Sequence, residues 1–274
     1  MNPLVPPTSF IDIQEVAHAF AQTDSHTSLQ VLTKTSLTIR KGELISFIGP
    51  SGCGKSTLLN VMGGLLKPQT GKVLLEQHEI TSPSPKRIAY VFQENALFPW
   101  NTVLENITVG LTFQNIPKNE HAERATKALS DVGLLAFANH YPDEISGGMK
   151  QRAALARALS LETDIILMDE PFAALDEQTR MVLGEDLSVL LSKTQKTIVL
   201  VTHSLGEAVF LSDRVAVFSA RPGTIKEIID VQEDHPRKSD FVTSEKFNGL
   251  RNRLYSLLHE EVKKTLSSEA ASKN

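Results

Sequence analysis

The chain of 274 residues has one cysteine, Cys53, so no disulfide can close within it and a reducing compartment is expected. It also has no apolar run approaching the roughly 20 residues that cross a bilayer, so any membrane role must come through a partner. Positive charge is not in excess. Lysine and arginine number 28 against 32 aspartates and glutamates, a net charge of -4. That removes the basic footprint with which nucleic-acid binders displace counterions, and no nucleic acid is expected as a partner. The opening MNPLVPPTSF has no basic stretch followed by an apolar run, so no secretory signal is expected. Tryptophan occurs once, at Trp100. What is present is ordinary globular composition, with a hydrophobic content of 41% that supplies a real core.

After the proline-bearing leader, FIDIQEV and TSLTI alternate in the manner of half-buried strands and predict an antiparallel β region up to about Ile39. LISFI (44–48) is a continuous apolar run of the kind shown by a covered parallel strand, and it leads straight into glycines. A helical pattern follows from Lys55 to Leu65. Between Val103 and Leu161 apolar residues recur mainly at helical spacing, most clearly in ERATKALSDVGLL, which predicts a helical insert. IILM (165–168), a helix near Gln178 to Lys193, TIVLVT (197–202), a helix after Ser204 and RVAVFS (214–219) then alternate, the order of a parallel sheet with crossover helices. An amphipathic helix over FNGLRNRLYSLLHEEVKKTL is predicted to give way to a solvated tail, SSEAASKN.

Three stretches carry chemistry. GPSGCGKST, comprising Gly49, Pro50, Ser51, Gly52, Cys53, Gly54, Lys55, Ser56 and Thr57, matches a phosphate loop between a buried strand and a helix. Its glycines let backbone N–H groups turn inward around an anion, and the helix adds its positive end. Lys55 is placed to reach the β- and γ-phosphates, and Ser56 to give its hydroxyl to Mg²⁺. IILMDEP delivers two carboxylates at the C-terminal end of a strand, where open α/β sheets bind ligands. Asp169 suits contact with Mg²⁺, and Glu170 suits polarising an attacking water. In ISGGMKQR, Ser146, Gly147 and Gly148 begin a helix, and their N–H groups form a second anion site or, alternatively, a plain N-cap.

These motifs together resemble the ATP-binding subunits of ABC transporters, from about Ile11 to Val231. The resemblance implies an α/β P-loop NTPase of ABC type, with a mostly parallel core sheet, an antiparallel β region and an inserted helical subdomain at about 95–161. The ATP-binding domain is expected over 1–235, with a helical extension and polar tail over 236–274. It implies a head-to-tail dimer in which each ATP lies between one copy's phosphate loop and the other copy's Ser146 motif. Gln93, in YVFQENALFPW, matches the glutamine that senses Mg²⁺ and the attacking water, and His203 matches the histidine that contacts the γ-phosphate. Asp176, in AALD, matches an aspartate that crosses the dimer. Phe20 lies where the family has an aromatic that stacks on adenine, the alternative being a strand phenylalanine in the core. Two positions depart from the family's signature, Ile145 for leucine and Met149 for glutamine, which bears on the strength of the contact across the dimer.

ALFPW before NTVLENI, RPGTI (221–225) and HPR (235–237) resemble the importers of nitrate, sulfonate, taurine and bicarbonate. That implies an ATPase peripheral to the cytoplasmic face of the inner membrane. Its partners would be an integral permease, a second ATP-binding subunit, most simply an identical one, and indirectly an external solute-binding protein. Trp100 would lie on the surface that receives the permease, or else be buried as a core tryptophan. The competing assignment is a soluble ABC-type ATPase not coupled to transport.

Overall fold

The computed structural model describes residues 9–21, 28–173 and 175–271. The leader up to Thr8, residues 22–27 of the AQTDSHTS spacer, Ala174 of AALD and the last three residues of the polar tail lie outside the described residues. Strands β1 (Ile11–Ala21), β2 (Ser28–Ile39) and β3 (Leu44–Ile48) come first, then helix α1 (Lys55–Met62) and strands β4 (Thr70–Leu75), β5 (His78–Glu79) and β6 (Ile88–Val91). Three helices, α2 (Val103–Phe113), α3 (Lys118–Asp131) and α4 (Gly147–Leu159), lead to β7 (Ile165–Asp169) and α5 (Glu177–Ser192). The chain continues through β8 (Thr197–Val201), α6 (Leu205–Leu211), β9 (Arg214–Phe218) and β10 (Ile225–Asp230) to α7 (Ser239–Thr243) and α8 (Glu245–Ala271). Two compact units result, one from the described residues of 1–83, 197–233 and 239–274, the other from 84–196 and 234–238.

In the first unit β3 is flanked on both sides by parallel strands, β8 and β9, and β10 returns antiparallel to β9. All five residues of LISFI are buried, the outcome a continuous apolar run requires when both faces of a strand are covered. The rings of Phe47 and Phe218 sit 5.3 Å apart between neighbouring strands. Because parallel strands cannot be joined by a tight hairpin, α6 carries the chain from β8 back to β9, burying Ala208, Val209, Phe210 and Leu211. A second sheet, ordered β2-β1-β4-β5, is antiparallel, with Ile11, Ile13 and Val16 of β1 turned inward. The antiparallel region thus draws β4 and β5 from beyond Ile39, where it was expected to end.

Helix α8 buries Phe247 and Leu254 in this unit and closes on a buried carboxylate, Glu261. Glu261 accepts hydrogen bonds from the Ala220 N–H at 2.9 Å, Lys226 Nζ at 3.0 Å and Lys264 Nζ at 2.7 Å. The helix runs to Ala271, beyond the start of the expected solvated tail. Ser-Ser-Glu-Ala-Ala contains no glycine or proline to stop it, and alanine and glutamate sustain helix well. Among the described residues no helix is long and apolar enough to cross a membrane.

In the second unit β6 and β7 pair in parallel, with Ile88 opposite Ile165 and Val91 opposite Met168. The predicted helical stretch appears as α2, α3 and α4. Helix α2 starts at a capping box, in which Thr102 Oγ1 accepts from the Glu105 N–H at 3.2 Å and Glu105 Oε2 accepts from the Thr102 N–H at 2.8 Å. Its Val103, Ile107 and Leu111 face Ala125, Ala128 and Leu129 of α3 and the alanine-rich side of α4 in a shared core. The HPR stretch belongs to this unit because the Arg237 N–H donates to Ser188 Oγ of α5 at 2.9 Å.

Burial pulls the Glu261 pKa upward, but hydrogen bonds from Lys264, the Ala220 N–H and Lys226 outweigh it and hold the carboxyl down, from 4.5 to about 2. A depressed folded-state pKa contributes stability above the unfolded value and loses it as pH falls through the folded one. The stability gap between the native protein and Glu261→Gln is therefore expected to be full above pH 4.5 and to shrink towards pH 2, measured by denaturant unfolding at stepped pH.

Candidate active site

In the first unit the phosphate loop connects β3 to α1. Helix α1 is capped by Gly54 at φ 102, a left-handed conformation that a side chain would strain. The Lys55 ammonium turns back on its own loop, donating to Gly49 O at 2.9 Å and Pro50 O at 3.0 Å, with Cys53 Sγ at 3.8 Å. Ser51 and Gly52 are exposed at the rim, whereas Ser56 and Thr57 are half-buried at the start of α1. Cys53 is fully buried, and burial raises its thiol pKa while Lys55 opposes the rise. A neutral, enclosed thiol is chemically quiet, so this position serves the loop through its backbone.

His203 follows β8 and is exposed. Its neighbours fix the turn: the Ser204 N–H donates to Thr202 Oγ1 at 3.0 Å, Thr202 Oγ1 donates to Glu207 Oε2 at 2.5 Å, and Ser204 caps α6. Phe20, near the end of β1, is 44% exposed and meets His18 edge-on with ring centroids 4.7 Å apart. It is therefore a surface aromatic and not a core one.

In the second unit Asp169 ends β7 with its side chain buried, and Glu170 follows at φ 48. Positive φ is costly for a residue with a Cβ, of order 1–3 kcal/mol, and such strain gathers at functional sites. Gln93 Nε2 approaches Glu170 Oε2 at 3.5 Å, so the structure brings these two predicted residues together. Burial and the neighbouring Asp169 carboxylate push the Tyr90 phenol above its usual value, which keeps it protonated beside that carboxylate.

Ser146 is the N-cap of α4, its hydroxyl accepting from the Met149 N–H at 3.3 Å, while the exposed Gly147 and half-buried Gly148 provide the first N–H groups of the helix. The structure thus gives Ser146 its N-cap role, with the first N–H groups of the helix beside it. Ile145, one of the two departures from the family's signature, is buried. Leu175 packs directly on Gly148, where an added Cβ would stand 2.5 Å from Leu175 Cδ2. The next residue, Asp176, caps α5: its Oδ1 accepts from the Thr179 N–H at 2.9 Å and its Oδ2 from Thr179 Oγ1 at 2.7 Å, which lowers its pKa.

Sequence reasoning missed two residues that hold the segment after Gln93. Asn106, buried on the apolar face of α2, donates to the carbonyls of Phe98, Asn101 and Thr102 at 3.0–3.1 Å and accepts from the Phe98 N–H at 2.7 Å. Arg157 of α4 donates to Ala96 O at 2.8 Å and Asn95 O at 3.2 Å. A polar residue at an otherwise apolar helical position was the available signal for Asn106. Their joint effect is a fixed turn that displays Trp100 at 71% exposure, which decides against burial as a core tryptophan.

A phosphate loop between a buried parallel strand and a helix, a strand-end carboxylate pair and an inserted helical bundle with a serine-capped Gly-Gly helix together define an ABC-type P-loop ATPase. The ABC transporter family profile matches residues 32–173, and the chain belongs to that family. It is 47% identical over 238 residues to an ABC transporter ATP-binding protein of Methanocaldococcus jannaschii, covering 87% of this chain and 88% of that one. It is 39% identical over 245 residues to the aliphatic sulfonates import ATP-binding protein SsuB of Bacillus thuringiensis subsp. konkukian, covering 89% and 94%. Among solved structures it resembles a dimeric ATP-binding cassette in a post-hydrolysis state bound to ADP and Pi, with a TM-score of 0.74, 32% identity, and coverage of 82% of this chain and 100% of that one.

Replacing Asn106 by alanine leaves three part-buried carbonyls and one N–H without their side-chain partner. Denaturant unfolding of Asn106→Ala is expected to show a loss of about 1–3 kcal/mol, the usual consequence of unpairing buried polar groups.

Proposed function

We propose that this chain is the ATP-hydrolysing motor subunit of an ABC importer for a small anion of the sulfonate, nitrate, taurine or bicarbonate kind. The observation that carries this reading is the strained Glu170 held within reach of Gln93 at the end of β7, in a chain whose match extends over 94% of a sulfonate-import ATPase. RPGTI and HPR support the same branch, and the exposed Trp100 supports a docking role for the segment that follows Gln93.

In this account the residues up to 235 act as the ATP-binding domain and 236–274 as its extension. ATP lies with its phosphates in the loop from Gly49 to Thr57, Phe20 stacks on adenine, and Lys55 gives up its carbonyl partners for charge-assisted bonds to the β- and γ-phosphates. Ser56, Asp169 and Gln93 offer hydroxyl, carboxylate and amide oxygens, an all-oxygen set that fits Mg²⁺. The ion would neutralise developing phosphate charge. Glu170 orients and deprotonates water, and His203 donates to the γ-phosphate, in a reaction where catalysis is chiefly positioning and charge stabilisation.

Two copies would meet head to tail, so that Gly147 and Gly148 of one present N–H groups to the γ-phosphate bound by the other, with Ser146 and Asp176 at the seam. Closure driven by ATP would move permease helices docked at Trp100, at the cytoplasmic face of the membrane, and hydrolysis would reset them.

Glu170→Gln tests the chemistry. Turnover is expected to fall by about 10²–10⁴-fold, the usual contribution of a positioned base, while ATP stays bound and the variant becomes dimeric in Mg-ATP by light scattering. Wild-type turnover in this variant would remove Glu170 from its assigned role.

A further inference from the structure

The turn between β9 and β10 contains RPGT, residues the ATPase chemistry does not call upon, yet it is tied to the underside of the phosphate loop. Gly223 N–H donates to Val31 O at 2.8 Å, and Gly223 O accepts from the Thr33 N–H at 3.0 Å, which sews the turn to β2. The upper side of Gly223 has no room for a side chain: a Cβ there would stand 1.8 Å from Cys53 O. Gly54 rests on the same strand, where its own Cβ would meet Leu32 Cδ2 at 2.6 Å and Val31 O at 3.0 Å. The phosphate loop therefore lies on a floor made of β2 and the 219–224 turn.

The other end of that turn is held from far along the chain. Ser219 N–H closes it on Thr224 O at 2.9 Å, and the Ala220 N–H donates to Glu261 Oε2 at 2.9 Å. Glu261 is itself buried and fixed by Lys226 and Lys264. An ionised acceptor makes a stronger and shorter bond than a neutral one, so the carboxylate fixes Ala220 more firmly than a surface contact would.

We propose that Glu261 is a positioning residue for nucleotide binding: by holding Ala220 it fixes the turn whose Gly223 supports the phosphate loop, so that α8 sets the loop's affinity for phosphate. The inference rests on Gly49 to Thr57 being the phosphate-binding loop. Because Glu261 reaches the loop only through Ala220 and the turn that carries Gly223, its effect falls on binding and not on the chemical step.

The test measures Mg-ADP affinity of the full chain by calorimetry and steady-state ATP turnover, with labelling of Cys53 by a thiol reagent as a report on the floor. Glu261→Ala is expected to weaken Mg-ADP and raise KM about tenfold, equivalent to about 1.4 kcal/mol, with kcat near wild type and faster Cys53 labelling. Glu261→Gln retains an oxygen acceptor for Ala220 and is expected to recover most of the affinity. Lys226→Met, which removes an ion pair but not the Ala220 bond, is expected to bind as wild type. A folded Glu261→Ala with wild-type affinity would overturn the inference. If that variant does not fold, Gly223→Ala decides in its place, wild-type affinity again overturning the proposal. Lys55→Ala separates the two layers: unchanged affinity there would remove the phosphate-loop assignment itself, whereas loss there with none in Glu261→Ala would remove only the role of α8.

Discussion

A run of backbone N–H groups has to be kept aimed at one point without collapsing onto the carbonyls beside it, and the rest of this structure depends on meeting that constraint. The loop from Gly49 to Lys55 does so by being trapped between a strand buried on both faces and the helix it caps, with Gly54 in a left-handed conformation that permits the final turn. Lys55 donates to the Gly49 and Pro50 carbonyls, which closes the loop on itself. Cys53 contributes by being buried and unreactive, its carbonyl against Gly223.

The second unit holds a related constraint in its backbone. A residue with a side chain seldom takes φ near 48, and Glu170 takes it at the end of a strand whose five residues are all buried. The stable strand offsets the local strain and points the carboxylate towards Gln93. From Gln93 the chain enters a turn clamped by Asn106 and Arg157, two residues on the helices α2 and α4, and α4 begins at Ser146. Trp100, Gln93 and the serine-capped helix are in this way parts of one hydrogen-bonded and packed assembly within the unit.

Much of this was legible because the relevant constraints are local. LISFI and IILM are continuous apolar runs bounded by turn residues, which pointed to covered strands, and GPSGCGKST after the first of them matched a phosphate loop in both spacing and context. Helix α2 lies in the stretch whose apolar residues recur at helical spacing, and the structure adds the capping box of Thr102 and Glu105 at its start. What was not legible depends on residues distant in sequence. Strands β4 and β5 are short and partly exposed, so their alternation is weak; β4 is a strand because β1 is there to pair with, and β5 because β4 is. The role of Glu261 required knowing that Ala220, 41 positions away, would meet it. Asp176 reads as a residue of a dimer seam in the sequence, while the structure also gives it the task of capping α5, which a sequence motif does not distinguish.

The central claim is that ATP is clasped by two chains, each lending the helix start at Ser146 to the nucleotide in its neighbour's loop. A structure of the Glu170→Gln protein with Mg-ATP tests this most directly. The account predicts a symmetric pair with two nucleotides, each γ-phosphate lying between Lys55 of one chain and the Gly147 and Gly148 amides of the other. ATP bound to Lys55 in a chain whose neighbour leaves Ser146 turned to solvent would contradict it.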